Sequence, residues 1–338
     1  MQISRGAHNM VGMTIWVTRN DDGSVQHSQE SEQASVNTEG DVVVAVSRSS
    51  LNYKDAMALN GDKGVMRTNP LVPGIDVVGT VEESSSERFN PGDQVVCNGD
   101  GLGEFRHGGY TDRQRVRAEA TVAVPEAFSL AEAAAIGTAG YTAALCVNSL
   151  LDHGLSSDDS PRILVTGATG GVGSIAVVLL KQLGFSVTAL TGRVAEHGDY
   201  LRSLGADEVL DRAAFAEAGK PLQKARFAGA VDTTGSHVLA NVLAQVTWGG
   251  VVASTGMAAS PKLETTVLPF ILRNVILAGV NSVDAPLDYR QRAWDLLADK
   301  LPAEVLNSLT TTIGIDEVAD AGEALLAGPR HGRTVVEL

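Results

Sequence analysis

The sequence predicts an α/β fold: a doubly wound parallel sheet flanked by helices, joined to a compact, barrel-like β domain. Three observations predict it. Arg162 to Arg193 reads as strand, glycine turn, helix, strand. From there to Val280, apolar runs of strand length alternate with helical patterns, the signature of a parallel sheet. Before it, up to Val124, short strands are separated by turn residues at close spacing, which is the pattern of a β barrel.

The chain has 338 residues, enough for two domains that each bury a core. Hydrophobic residues make up 44% and aromatic residues 4%, and the formal net charge is −14. That balance argues against a general nucleic-acid or anionic-membrane binder, which needs a basic footprint or stacking platforms. An anionic ligand must therefore be held by local basic groups. Cys97 and Cys146 form no C-x-x-C pair, so neither a zinc lobe nor a redox dithiol is signalled. Both are expected to be buried thiols of a cytoplasmic protein. Residues 1–12 lack the apolar region of a signal peptide and read as a disordered extension. No apolar run is expected to reach membrane-spanning length.

In chain order, Met13 to Arg19 alternates as a strand, turned by Asp21-Asp22-Gly23, and Asp41 to Arg48 is a second strand. Ser49 to Asp55 leads into a short helix ending at Leu59. A polar loop carrying Lys63 and Arg67 follows. Pro73-Gly74 turns into a strand from Ile75 to Glu82, and Pro91-Gly92-Asp93 into another from Gln94 to Cys97. Asn98 to Gly109 is glycine-rich and expected to be mobile, ahead of strands at Tyr110 to Val116 and Thr121 to Val124. Ser129-x-x-Glu132 is a capping box that opens an alanine-rich helix. Gly137 and Gly140 predict a break in it, with a second helix running to Leu151. Ser156 to Ser160 is a polar linker. After the central unit come a helix from Ala195 to Leu204, strands at Glu208 to Leu210 and Ala228 to Asp232, and a helix from His237 to Gln245. Strands at Gly250 to Thr255 and Val275 to Val280 close this series. Helices from Leu287 to Lys300 and Glu317 to Leu326, then a strand from Gly332 to Val336, form a tail expected to return to the first domain.

The central unit carries the chemistry. Ile163-Leu164-Val165 is short enough for a strand buried on both faces. Gly171-x-Gly173-x-x-Ala176 fits the G-x-G-x-x-G/A form, and Ile175, Val178, Leu179 and Leu183 cover one face of the helix it opens. A diphosphate can rest on backbone N–H groups at a helix N-terminus only where no β-carbon intervenes. The pattern alone is weak; its place between a buried strand and a helix gives it weight. Thr169, Gly170, Gly171 and Val172 are therefore expected to cradle a dinucleotide. The second strand, Ser186 to Leu190, ends in Thr191-Gly192-Arg193. An NAD site places an acidic residue here for the ribose 2′-hydroxyl. A hydroxyl, a glycine and a guanidinium suit a 2′-phosphate instead. The expected cofactor is NADPH, with a solvated loop arginine the alternative reading of Arg193.

Taken together, LNYKD (51–55), PGID (73–76), GTAGYTA (137–143), GATGGVG (167–173), TGR (191–193), PFILRN (269–274) and HGRTVV (331–336) resemble the medium-chain dehydrogenase/reductase superfamily. They look most like its acrylyl-CoA reductase (NADPH) branch, the YhdH/YhfP-type quinone oxidoreductases. The resemblance covers essentially everything after Met13. It implies a GroES-like catalytic domain made of residues 1–139 and 281–338, around a Rossmann NADP-binding domain of residues 140–280. It implies a homodimer joined along Val275 to Val280. It also implies NADPH-dependent reduction of acryloyl-CoA, an acyl-CoA substrate, to propionyl-CoA. A quinone or 2-alkenal reductase on the same scaffold is the second reading, and a non-catalytic NADPH-binding sensor the third.

By the same resemblance Arg212 lies near the adenine, Met257, Ile271 and Ser282 line the nicotinamide end, and Arg333 joins from the last strand, with ordinary packing the alternative for each. The three zinc-ligand positions of the zinc-dependent alcohol dehydrogenases fall on Asn52, Ile75 and Thr138, so no metal is expected. Tyr53 is the first catalytic candidate: its hydroxyl either binds the nicotinamide ribose or polarises the thioester, or its ring packs against the cofactor. Asn52 offers an amide donor in the same place. Thr138 either contacts the nicotinamide or bonds back to its own helix. Asp76 is read as a base or a structural acceptor, and His107 as an acid or a solvated loop residue. Lys54 and Asp55 are read as an ion pair or a helix cap. Lys63, Arg67 and Arg106 are read as CoA-phosphate ligands or exposed loop charges.

Overall fold

The structure is a computed structural model that describes residues 13–30, 36–328 and 331–338. The extension expected over residues 1–12 lies outside the described residues. The first half contains β1 (Thr14–Arg19), β2 (Val25–Glu30), β3 (Val42–Ser50), α1 (Tyr53–Leu59), β4 (Asp76–Ser84), β5 (Gln94–Asn98), β6 (Arg113–Val116) and β7 (Thr121–Ala123). Helix α2 (Leu130–Asp152) leads to β8 (Arg162–Thr166), α3 (Gly171–Gln182), β9 (Ser186–Thr191), α4 (Val194–Ser203) and β10 (Glu208–Asp211). Then follow β11 (Phe227–Asp232), α5 (Ser236–Gln245), β12 (Val246–Ser254), α6 (Leu268–Arg273) and β13 (Ile276–Gly279). The tail is α7 (Leu287–Lys300), α8 (Ala303–Ser308), β14 (Thr310–Gly314), α9 (Val318–Leu326) and β15 (Arg333–Glu337).

Six of these strands form the doubly wound sheet, in the order β10-β9-β8-β11-β12-β13, with every pairing parallel. The order reverses between β8 and β11, so the crevice that binds ligands in such sheets opens at the carboxyl end of β8. A seven-stranded sheet, β14-β15-β3-β4-β5-β7 with β6 also on β3, forms the barrel-like domain. The tail returns as expected: β15 lies antiparallel to β3, pairing Val335 with Ser50 and Val336 with Ser49.

Helix α2 sits between the two sheets. Its capping box forms, with Ser129 accepting from Glu132 N and Glu132 reaching back to Ser129 N. The predicted break falls at Gly137, whose φ of 47° and ψ of −162° are non-helical. Contrary to the sequence expectation, α2 is long and apolar enough to cross a bilayer. Its apolarity instead serves a core shared by both halves. Ile136, Tyr141 and Leu145 pack in one cluster with Val78 and Val96, with Ile163 and Ile175, and with Trp294 and Leu297 of α7. Each fully buried side chain of this size contributes about 1.5–3 kcal/mol.

Two expectations are corrected. The glycine-rich stretch from Asn98 to Gly109 is held rather than loose: Leu102 is fully buried, and buried Asp100 binds the guanidinium groups of Arg106 and Arg117. Tyr110 to Val116 pairs only over its last four residues. Tyr110 is fully buried in the preceding bend, donating its hydroxyl to Ser50 O at 3.1 Å.

Candidate active site between the two sheets

Helix α3 starts at Gly171 behind Gly170, and no side chain caps it. Gly170 N bonds back to Gly167 O at 2.9 Å, which closes the turn out of β8. The first-turn N–H groups have no intrahelical partner and form an anion seat. A β-carbon on Gly173 would stand 2.4 Å from Gly167 O, so only glycine lets α3 lie this close to the turn. Thr169, buried beside this seat, accepts from Gly332 N through its carbonyl at 3.3 Å, and Val172 is half-buried.

At the end of β9, Thr191 Oγ1 accepts from Arg193 N at 3.2 Å. Arg193 is not the solvated loop arginine of the alternative reading. Its Nη1 donates to Gly328 O at 2.6 Å, and its Nη2 reaches Thr169 Oγ1 at 3.4 Å. Arg212 lies across Gly192, with Nη2 3.1 Å from where a β-carbon would stand. Two guanidinium groups thus converge on the end of β9, and these residues fit a dinucleotide that carries a 2′-phosphate.

The barrel-side wall of the site is organised by Asp76, fully buried at the start of β4. Its carboxylate accepts from Ser50 Oγ, Asn52 Nδ2 (3.0 Å), Asn98 Nδ2 (2.6 Å), Thr138 N (3.0 Å) and Thr138 Oγ1 (2.6 Å). Asp76 is therefore an acceptor, not an available base. This network corrects the expectations for two candidates. The Asn52 amide donates to Ser50, Asp55 and Asp76, so it has no donor left for a substrate, although its Oδ1 is buried without a partner. The Thr138 hydroxyl goes to Asp76 rather than to a nicotinamide or back to its own helix. The hydroxyl that does bond back is that of Thr142, to Thr138 O at 2.6 Å.

Arg333 completes this wall. It is 4% exposed, donates Nε to Ala135 O at 2.7 Å, and leaves Nη2 buried without a partner. A β-carbon on Gly137 would meet Asp76 Oδ2 at 2.7 Å and Arg333 Nη2 at 2.8 Å; one on Gly171 would meet Arg333 Nη1 at 2.8 Å. Arg333 therefore lies between the carboxylate and the α3 seat. Burial lowers its proton affinity, opposed by Asp76 and Asp55.

Asp55 caps α1 rather than pairing with Lys54, which binds Glu104 at 2.6 Å. It accepts from Asn52 N and Ile75 N, both at 2.8 Å. Burial first, and Asp76 second, push its carboxyl up to about 7 despite these donors. A carboxyl raised above its unfolded value of about 3.9 stabilises the fold fully below that pH. That contribution is lost as pH rises through the folded value of about 7. Asp55→Asn should therefore show a smaller decline in urea midpoint between pH 5 and 8 than the parent protein; equal declines would remove Asp55 as their source.

The remaining candidates are spread more widely. Tyr53 opens α1 and is 58% exposed, so it packs on nothing extensive. Met257 follows the carboxyl end of β12 and is 67% exposed. Ser282 O lies 3.0 Å from the β-carbon position of Gly99, at the crossing between the two halves. Ile271 is likewise 67% exposed, on α6. His107 is neither acid nor solvated: its Nδ1 accepts from Val72 N at 3.2 Å, and its ring packs edge-on to Trp16. Arg106 is occupied by Asp100, and Arg67 donates to Gly64 O.

Sequence reading places Trp294 on the buried face of α7 but misses its partners Asn98 and Arg290; the three tie the wall to α7. Asn98 receives Trp294 Nε1 at 3.2 Å on its side chain and Arg290 Nη1 at 2.6 Å on its carbonyl. No local motif marks them.

The donor set does not suit zinc. Ile75 is apolar, and the donors of Asn52 and Thr138 are committed to carboxylates, so no thiolate or imidazole is offered. Among the described residues no group of three or more His, Cys, Asp or Glu is placed to hold a metal ion.

The chain matches the zinc-binding dehydrogenase family over residues 171–299 and the alcohol dehydrogenase GroES-like domain over residues 38–126. It is 46% identical over 317 residues to the probable acrylyl-CoA reductase AcuI of Escherichia coli, covering 94% of this chain and 97% of that protein. The yhdH oxidoreductase of Salmonella enterica, solved in complex with NADP, superposes with a TM-score of 0.92 at 44% identity, covering 96% of this chain and 99% of that one. The putative quinone oxidoreductase YhfP of Bacillus subtilis is 40% identical over 88% of this chain and 90% of its own length. Its structure, with NAD bound, superposes with a TM-score of 0.90 at 37% identity, covering 97% of this chain and 99% of that one.

Proposed function

This chain belongs to the medium-chain dehydrogenase/reductase superfamily, in its acrylyl-CoA reductase branch, and from that premise we propose that it reduces the C=C bond of acryloyl-CoA to propionyl-CoA with NADPH and without zinc. One observation carries the cofactor: Thr191, Gly192 and Arg193, with Arg212 alongside, stand where an NAD site would present a carboxylate. The acceptor rests on the identity to the Escherichia coli protein over nearly the whole chain.

When bound, NADPH supplies the hydride for the β-carbon of the enoyl thioester. The chain's own part is to bind, orient and exclude water. Thr169, Gly170, Gly171 and Val172 hold the diphosphate on the uncapped end of α3; Thr191, Arg193 and Arg212 hold the 2′-phosphate. Met257, Ile271, Ser282 and Arg333 bound the nicotinamide end. Charge that develops on the thioester oxygen needs a donor in a sheltered place. The Tyr53 hydroxyl, on the first turn of α1, is that donor once the bound nicotinamide and thioester cover its exposed ring. Asn52 and Thr138 act one step back, fixing the wall through Asp76. Hydride addition to an enoyl thioester needs no Lewis acid, because the thioester carbonyl itself takes up the charge; a proton reaching the α-carbon then converts the enolate to propionyl-CoA.

The same reading assigns residues 1–139 and 281–338 to the catalytic domain and 140–280 to the NADP-binding domain, whose boundary falls just beyond the α2 kink. Two copies would join along β13, the edge of the parallel sheet, in a cytoplasmic homodimer.

The deciding experiment is NADPH oxidation with acryloyl-CoA, crotonyl-CoA, simple quinones and enals at equal concentration. Acryloyl-CoA should turn over fastest. Faster quinone turnover would favour the activity named for the Bacillus subtilis relative, and NADPH binding without turnover would favour a sensor. Arg193→Ala should weaken NADPH by about 1.5–3 kcal/mol, the contribution of a charge-assisted hydrogen bond. NADH should be nearly untouched, and equal losses for both would remove the 2′-phosphate assignment.

A further inference from the structure

Next to the proposed 2′-phosphate seat lies a cluster that the catalytic reading does not use. His197 stands one turn into α4 from Arg193, its N–H bonded to Arg193 O at 2.9 Å. His331, on the segment leading into β15, lies against it with ring centroids 4.7 Å apart and planes tilted by 43°, and Tyr200 meets His331 at the same 4.7 Å, edge-on. His197 Nε2 is buried with no hydrogen-bond partner. The same C-terminal segment touches the seat twice more, through Gly328 O on Arg193 and Gly332 N on Thr169 O.

We propose that His197 and His331 form a protonatable second wall of the 2′-phosphate site, so that the chain takes up protons when it binds a 2′-phosphorylated adenosine nucleotide. The inference rests on the NADPH reading above and adds the two histidines to it. Positive charge bears on His197 from two sides: Arg193 at the head of α4, and His331. The opposing charge is Glu196, 3.9 Å from His197 Nε2 on an exposed side chain. Burial, then Arg193 and His331, hold His197 below its usual range. A phosphate dianion there reverses the balance, because an opposite charge within about 4–6 Å favours the protonated ring. The buried, unpartnered Nε2 then gains a reason to be charged. Two sequence-distant histidines placed together this way give the site a cation whose charge depends on pH, beside arginines whose charge does not.

The test is titration calorimetry of the whole protein with 2′,5′-ADP and with 5′-AMP at pH 7, in buffers of different ionisation enthalpy. The 2′-phosphate has its second pKa near about 6 and is mostly dianionic at that pH, so it releases little itself. The parent protein should take up about 0.5 proton or more with 2′,5′-ADP and much less with 5′-AMP. His331→Gln, at an exposed position, and His197→Gln should each reduce the uptake, and the double variant should abolish it. The ratio of affinities for 2′,5′-ADP over 5′-AMP should fall about 3–10-fold in the double variant. Uptake unchanged in the double variant, or absent from the parent, overturns the proposal while tight 2′,5′-ADP binding leaves the NADPH reading intact. If 2′,5′-ADP binds no more tightly than 5′-AMP, both fall together.

Discussion

Replacing Asp76 by alanine should lower the unfolding free energy by about 4 kcal/mol, because removing one member of a buried, charged network costs about 3–5 kcal/mol. The carboxylate receives hydrogen bonds from buried Ser50, Asn52 and Asn98 and from partly buried Thr138. Each donor left bare costs about 1–3 kcal/mol, and the losses overlap because the donors share one acceptor. The guanidinium of Arg333, buried beside the same β-carbon position of Gly137, would lose its neighbouring negative charge. Thr138 N belongs to the first residue after the kink, so the second half of α2 would also lose its anchor. Asp76→Asn keeps the shape and one acceptor oxygen, and should cost about 2 kcal/mol. Urea unfolding with an unchanged slope measures both. A loss below about 1 kcal/mol for the alanine variant would mean that water reaches these donors and that the wall is not sealed.

What was legible in the sequence is what local chemistry dictates. The strand ends at Thr166 and Thr191, the capping box at Ser129 and Glu132, and the kink at Gly137 all follow from residues within a few positions of each other. The parallel pairing follows from the alternation of strands and helices, because parallel neighbours need crossover connections. Edge strands were harder. β2 reads VQHSQE and is mostly exposed, and β14 is a run of threonines at the margin of its sheet, so neither carries an alternating apolar face. The stretch from Asn98 to Gly109 misleads for a different reason. Glycine content reads as freedom, whereas here Gly99 and Gly101 take φ near 70° to wrap the chain around Asp100.

At the site, the sequence marks positions but not partnerships. Asn52 and Thr138 stand where the motifs put them, yet their donors go to a carboxylate 24 and 62 residues away. That pairing depends on how the barrel closes over the kink in α2. The His197 and His331 pair is invisible for the same reason: one sits on a helix of the nucleotide-binding part and the other on the returning tail.

Gly173→Val should weaken NADPH binding by about 100-fold or more, equivalent to about 2.7 kcal/mol. A β-carbon at this position would lie 2.4 Å from Gly167 O, 2.7 Å from Ala168 Cα and 2.9 Å from Gly167 C. All three are backbone atoms of the turn that delivers the chain from β8 into α3, so no side chain can swing away. Valine also stiffens χ1 within a helix, leaving no rotamer that eases the contact. Replacing a helical glycine gains at most about 1 kcal/mol in propensity, which is too little to offset a backbone collision. The first turn of α3 must then tilt away from the turn, carrying its unpaired N–H groups off the line on which they meet a diphosphate. Two neighbouring glycines supply the control. A β-carbon on Gly171 meets side-chain atoms only, Arg333 Nη1 at 2.8 Å and Ala139 Cβ at 3.1 Å, and one on Gly170 meets only Gly167 O, at 3.3 Å. NADPH fluorescence titrations of the alanine series should therefore rank Gly173 as the most damaging, Gly171 next and Gly170 least. Equal losses across the three would show that the seat tolerates bulk at every point, and the close approach of helix to turn would no longer explain why glycines stand there.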